Sequence, residues 1–81
     1  MARKYGKVDK NQSQIVARLR ALGCTVYSLA SVGGGVPDLL VGIGGENHLI
    51  EVKSKTGSLT NDQVEFHAMW RGSIHVVRSV G

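Results

Sequence analysis

The stretch PDLLVGIGGENHLIEVKS, residues 37 to 54, decides the fold. DLLVGIG, residues 38 to 44, is apolar enough for a buried strand, and HLIEVKS, residues 48 to 54, reads as a second. GGEN between them supplies a hairpin-type turn, so the two strands pair antiparallel and form the centre of a sheet. Side chains alternate along a strand, which puts Leu49, Glu51 and Lys53 on one face and His48, Ile50 and Val52 on the other.

Working outward, Ile15, Leu19 and Leu22 recur at helical spacing between Asn11 and Leu22, with Val16 widening the stripe and Gly23 placed as the stop. CTVYSLA, residues 24 to 30, predicts a short strand, and the three glycines of SVGGGV predict an irregular loop. Downstream, Thr60 and Gln63 have the spacing of a capping box at the start of a second helix that runs to about Arg71, with Gly72 as its stop. SIHVVRSV is the last strand. Strand, helix, strand at this length is a crossover unit, so HLIEVKS and SIHVVRSV lie parallel in a mixed sheet. The expected class is α/β, in the order αβββαβ.

Eighty-one residues, 42% of them hydrophobic and 20% charged, leave room for one globular domain and no more. A core this small gains from association with a second copy. The lone Cys24 excludes an internal disulfide and a cysteine-built zinc site, as expected of a cytoplasmic protein. No apolar run reaches the length of a membrane span, and MARKYGKVDK lacks the apolar stretch of a secretory signal. Ten Lys/Arg against six Asp/Glu favour a polyanionic partner. Arg3, Lys4, Lys7 and Lys10 all fall in residues 1–10, which read as a basic arm suited to phosphates or as a solubilising tail; residues 11–81 form the folded domain.

Glu51 and Lys53 are charged neighbours on an otherwise apolar strand, and buried charge is costly unless paired or bound to metal. Asp38 opens the partner strand, and the short connection can bring its carboxylate near Glu51. Two close carboxylates repel, but a divalent cation between them makes both ionised forms favourable. Magnesium suits such a pair and can activate water against a phosphodiester, with Lys53 holding that water or offsetting transition-state charge. The same residues also fit a turn at Pro37-Asp38 and an exposed Glu51-Lys53 pair on an edge strand.

GVPDLLVG, then LIEVK, then LTNDQ resembles the VRR-NUC branch of the PD-(D/E)XK nucleases, its phage-type members especially, over nearly the whole chain. The resemblance implies the restriction-endonuclease-like αβββαβ core reached above from periodicity. It also implies a Mg2+- or Mn2+-dependent endonuclease with Asp38, Glu51 and the Val52 carbonyl as metal ligands and Lys53 as catalytic lysine. Gln63 falls on the family's helix-borne glutamine, a role compatible with its capping box. Phage-type members are similar to Holliday-junction resolvases, homodimers that cut branched DNA inside the bacterial host and leave 5′-phosphate and 3′-hydroxyl ends. One position departs from the pattern: Gln14 stands where the family carries a first-helix glutamate, and Gln12 has the same defect. An amide lends a metal no charge, so the expectation is reduced metal affinity on an intact fold; the alternative is a DNA-binding module that has lost catalysis.

Arg18, Lys55, Gly34 and Gly35 are candidate DNA contacts, the glycines by letting a backbone approach beside Asp38; each cation also fits a solvated face. Arg20 and Arg71 are weighed in the same way. His67 shares the helix face of Gln63 and can reach a phosphate or serve as a structural residue. Phe66, Met69 and Trp70 form a stripe suited to core or dimer contact. No role is assigned to His48 and His75, which have no ligand spacing to an acidic partner. The glycine runs lack the endings of a P-loop and of a dinucleotide fingerprint, so no nucleotide cofactor is expected.

Overall fold

The computed structural model describes residues 10–80. Its elements are α1 (Lys10–Ala21), β1 (Thr25–Ser28), β2 (Leu39–Ile43), β3 (Glu46–Val52), α2 (Asn61–Met69) and β4 (Ile74–Val77), the expected αβββαβ order. The strands form one sheet in the order β1-β2-β3-β4, antiparallel at the first two junctions and parallel between β3 and β4. This is a mixed-sheet α/β fold consistent with a restriction-endonuclease-like core.

Alternation along the inner strands places Ile50 and Val52 beside Leu39 and Val41, and these pack with Ile15 and Cys24 beneath α1. Val16, Leu19, Val26 and Val77 close the margin of this core. Leu22 does not join it: it is 58% exposed, because the helix has ended before it. Gly23, at φ +94°, turns the chain in a Schellman motif. Cys24 N–H donates to Leu19 O and Gly23 N–H to Arg20 O, both at 3.0 Å.

The β2–β3 turn is tighter than GGEN suggested. Glu46 and Asn47 already belong to β3, paired with Ile43 and Gly42, so Gly44 and Gly45 alone make the reversal. Both have positive φ, +58° and +81°, as a two-residue turn matched to strand twist requires. β1 is likewise shorter than its apolar run.

The second helix stops at Met69, two residues short of the expected Arg71. Trp70 keeps its N–H on Phe66 O at 3.0 Å, yet its own backbone is extended, at φ −69° and ψ 130°. Its indole stacks on Phe66 with centroids 5.3 Å apart and also lies over Gly72, where a Cβ would sit 2.8 Å from Nε1. Gly72 therefore makes room for an indole, and the helix is stopped by Trp70.

Gly33, Gly34 and Gly35 all have positive φ, and Gly35 also packs tightly: a Cβ there would lie 2.4 Å from the Asp62 carbonyl oxygen in the first turn of α2. Gly44 meets no such neighbour. Gly35→Ala should therefore cost about 2 kcal/mol or more, from strain plus displacement of α2, whereas Gly44→Asn should cost no more than about 0.5 kcal/mol. Urea unfolding midpoints of the two variants measure the difference.

Candidate active site at the end of the inner strands

The β2–β3 ladder pairs Leu39 with Ile50, and one step further the same register sets Asp38 opposite Glu51. Asp38 Oδ2 accepts a 2.8 Å hydrogen bond from Val52 N–H, which fixes its carboxylate against β3. Glu51 lies on an inner strand and is only 2% exposed, so it is not the edge-strand surface residue that its spacing also allowed.

Gln63 reaches Glu51 from the start of α2. Its backbone N–H donates to Thr60 Oγ1 at 3.3 Å, and its Oε1 accepts from Thr60 N–H at 2.9 Å, completing the capping box. The remaining end of the amide, Nε2, donates to Glu51 Oε2 at 3.3 Å. One end of the side chain thus completes the cap while the other bonds Glu51. Glu51 Oε1 remains buried with no hydrogen-bond partner among the described residues.

Burial is the main reason that the Glu51 carboxyl is pushed up to about 8; hydrogen bonding to Asp38 and its negative charge add to the rise, and the Lys53 ammonium opposes it. At neutral pH the metal-free site therefore keeps its proton on Glu51. A hard divalent cation would fit this donor set: two carboxylates and the backbone carbonyl of Val52 offer oxygen alone, and Oε1 is the oxygen left without a partner among the described residues. No group of three or more His, Cys, Asp or Glu side chains that could hold a metal ion occurs among the described residues, so water would have to complete the shell.

The first helix docks at the same end of the sheet. Asn11 Nδ2 donates to Lys53 O at 2.9 Å and to Arg78 O at 3.2 Å, which brings the start of α1 beside the lysine. Gln14, three residues on and so on a neighbouring part of the helix surface, is exposed. Arg78 supplies a second tie: its Nη1 donates to Ser54 O and Gly57 O, both at 2.7 Å, and fastens the loop that follows Lys53. Sequence reasoning passed over Asn11 and Arg78, because both act through backbone carbonyls and belong to no motif.

The remaining candidates are dispersed. Lys55 is exposed on the Arg78-fastened loop, close in sequence to the site. Arg18 lies further along α1, on a groove with Val77, Ser79 and Val80, and Arg20 donates to Val26 O at 3.2 Å. Gly34 is exposed, while Gly35 has the internal packing reason given above. His67 Nε2 is shielded from solvent and has no hydrogen-bond partner among the described residues. Arg3, Lys4 and Lys7 lie outside the described residues, and Lys10, the last residue of the expected arm, is already the first residue of α1.

With this geometry in place, the family comparison is decisive: the VRR-NUC domain model matches residues 3–79. The chain belongs to the VRR-NUC family. It is a nuclease-type domain, and DNA is the substrate class that such a domain implies. No curated protein and no solved structure matches the chain. No helix among the described residues of this VRR-NUC domain is long and apolar enough to cross a membrane.

The Glu51 shift has a direct consequence for stability. The unfolded chain releases the Glu51 proton near its ordinary value of 4.5, but the folded chain keeps it to about 8, so the folded state binds more protons between those values. This carboxyl's contribution to stability is complete below pH 4.5 and declines as pH rises towards 8. Thermal melts of the metal-free chain should show that decline, and Glu51→Gln, which cannot ionise, should flatten it.

Proposed function

We propose that this VRR-NUC domain is a divalent-cation-dependent DNA endonuclease, using Mg2+ or Mn2+, that works as a homodimer on branched DNA. The reading is carried by one observation: a buried Glu51 carboxyl with an unpartnered oxygen, directly opposite Asp38. Such a group is costly unless protonated or bound to a cation.

In this reading Asp38, Glu51 and the Val52 carbonyl hold the cation. Val52 N–H orients Asp38, and Gln63 Nε2 orients Glu51 while leaving Oε1 free. The Lys53 ammonium, near enough to Glu51 to influence its ionisation, holds the attacking water or offsets charge on the phosphorane-like transition state. When bound, the cation supplies positive charge against the phosphate and makes water a better nucleophile. The expected products carry 5′-phosphate and 3′-hydroxyl ends. Lys55 and the basic arm with Arg3, Lys4 and Lys7 supply phosphate contacts.

The homodimer rests on what α2 leaves uncovered. None of its residues is buried, and Met69 and Trp70 are exposed beside an open apolar groove of about 450 Å³ lined by Leu29, Leu40, Leu49 and Trp70. On the same sheet face Tyr27 is 70% exposed. A stripe that the sequence offered to core or dimer contact is therefore absent from the monomer core, and a second copy is the occupant that suits a symmetric substrate with two strands to cut.

Gln14 favours a second reading, a DNA-binding module with weakened catalysis, because an exposed neutral amide adds no charge to the cation site. Cleavage of junction and duplex DNA in Mg2+ or Mn2+ decides between them. The nuclease reading expects product with either ion, a loss of roughly a hundredfold or more in Asp38→Ala or Lys53→Ala, and a gain in Gln14→Glu. DNA binding without cleavage by the natural chain and by Gln14→Glu alike would leave the binding module. For assembly, sedimentation should give a dimer that Trp70→Glu converts to monomer; a natural chain that is monomeric throughout would remove the dimer.

A further inference from the structure

His48 and His75 stand 27 residues apart in sequence, yet His48 Nδ1 and His75 Nε2 are only 3.3 Å apart. The β3–β4 register explains the meeting: His75 pairs with Ile50, which shares its face of the sheet with His48 two positions earlier. The rings are tilted by 46°, with centroids 5.3 Å apart. On the other side of His48, Nε2 lies 3.3 Å from Glu46 Oε1.

That third group decides the chemistry. A carboxylate can only accept, so the His48 tautomer that suits Glu46 carries hydrogen on Nε2, and in that tautomer the Nδ1 lone pair faces His75. Two imidazole nitrogens so placed can share one proton or grip one cation. A tetrahedral ion with bonds of about 2.0–2.1 Å sets its ligand nitrogens roughly 3.3–3.4 Å apart, the separation already present. A histidine ligand whose other nitrogen donates to a carboxylate is also the usual outer arrangement of such sites.

We propose that His48 Nδ1 and His75 Nε2 form a two-histidine site for a borderline divalent transition-metal ion of the Zn2+ class, with Glu46 as the partner that orients His48. Imidazole nitrogen selects Zn2+, Ni2+ or Cu2+ over Mg2+, so this site is chemically distinct from the oxygen-lined pocket of Asp38 and Glu51. No third side chain completes it among the described residues. The side chain of His48 keeps 21% of its surface and His75 is exposed, which leaves the other coordination positions to water. A bound ion would staple edge strand β4 to inner strand β3.

The test is calorimetric titration of the tag-free full chain with Zn2+ and with Ni2+, in excess Mg2+, alongside Cu2+ electron paramagnetic resonance. The expected results are one ion per chain, nitrogen hyperfine structure on Cu2+, and binding at least about tenfold weaker in His48→Gln and His75→Gln. Glu46→Gln should weaken binding by a smaller factor, and Asp38→Asn should leave it unchanged. Because His75 is exposed, His75→Gln decides the matter if His48→Gln does not fold. Unaltered Zn2+ affinity in His75→Gln, or loss of Zn2+ binding in Asp38→Asn alone, would overturn the site.

Discussion

A carboxyl group buried at the end of an inner strand is the constraint around which this small domain is arranged. Left ionised and unpaired, such a group costs several kcal/mol. Glu51 avoids that cost by holding its proton to about 8, with Asp38 opposite, Gln63 on one oxygen and the Lys53 ammonium nearby. The other oxygen has no partner among the described residues. In the proposed function a cation would bind at that atom, and its binding would release the proton.

The same carboxyl organises α2. The helix has no buried residue, and its anchors lie at its N-terminal end: the Thr60–Gln63 capping box, the Gln63–Glu51 bond, and the approach of Gly35 to the Asp62 carbonyl. Its far end presents Met69 and Trp70 to solvent. The helix is thus pinned at the site and leaves its far end outside the core.

Much of this was legible in the sequence, for reasons that differ from residue to residue. GGEN marked the hairpin and brought Asp38 near Glu51, but the register that sets the two directly opposite comes from the tighter Gly44-Gly45 turn of the structure. Apolar periodicity located both helices, and the T-x-x-Q spacing located the cap of the second. Periodicity could not foresee that Leu22 lies past the helix end, nor that Trp70 would stop α2 by folding its indole back on Phe66 and Gly72. It also offered the Phe66, Met69 and Trp70 stripe to the core, although the small sheet has no second layer large enough to cover it.

The chain alone thus determined the element order, the central hairpin and the closeness of two carboxyl groups, because short-range turns and alternation act within a few residues. Only the tertiary structure decided that Asn11 and Arg78 would fasten the backbone around Lys53, from 42 and 24 residues away, and that His48 would meet His75. Those encounters depend on how a parallel strand returns through α2 and in what register it lands. Nothing in the spacing of residues along the chain records that register, which is set by packing of the finished sheet.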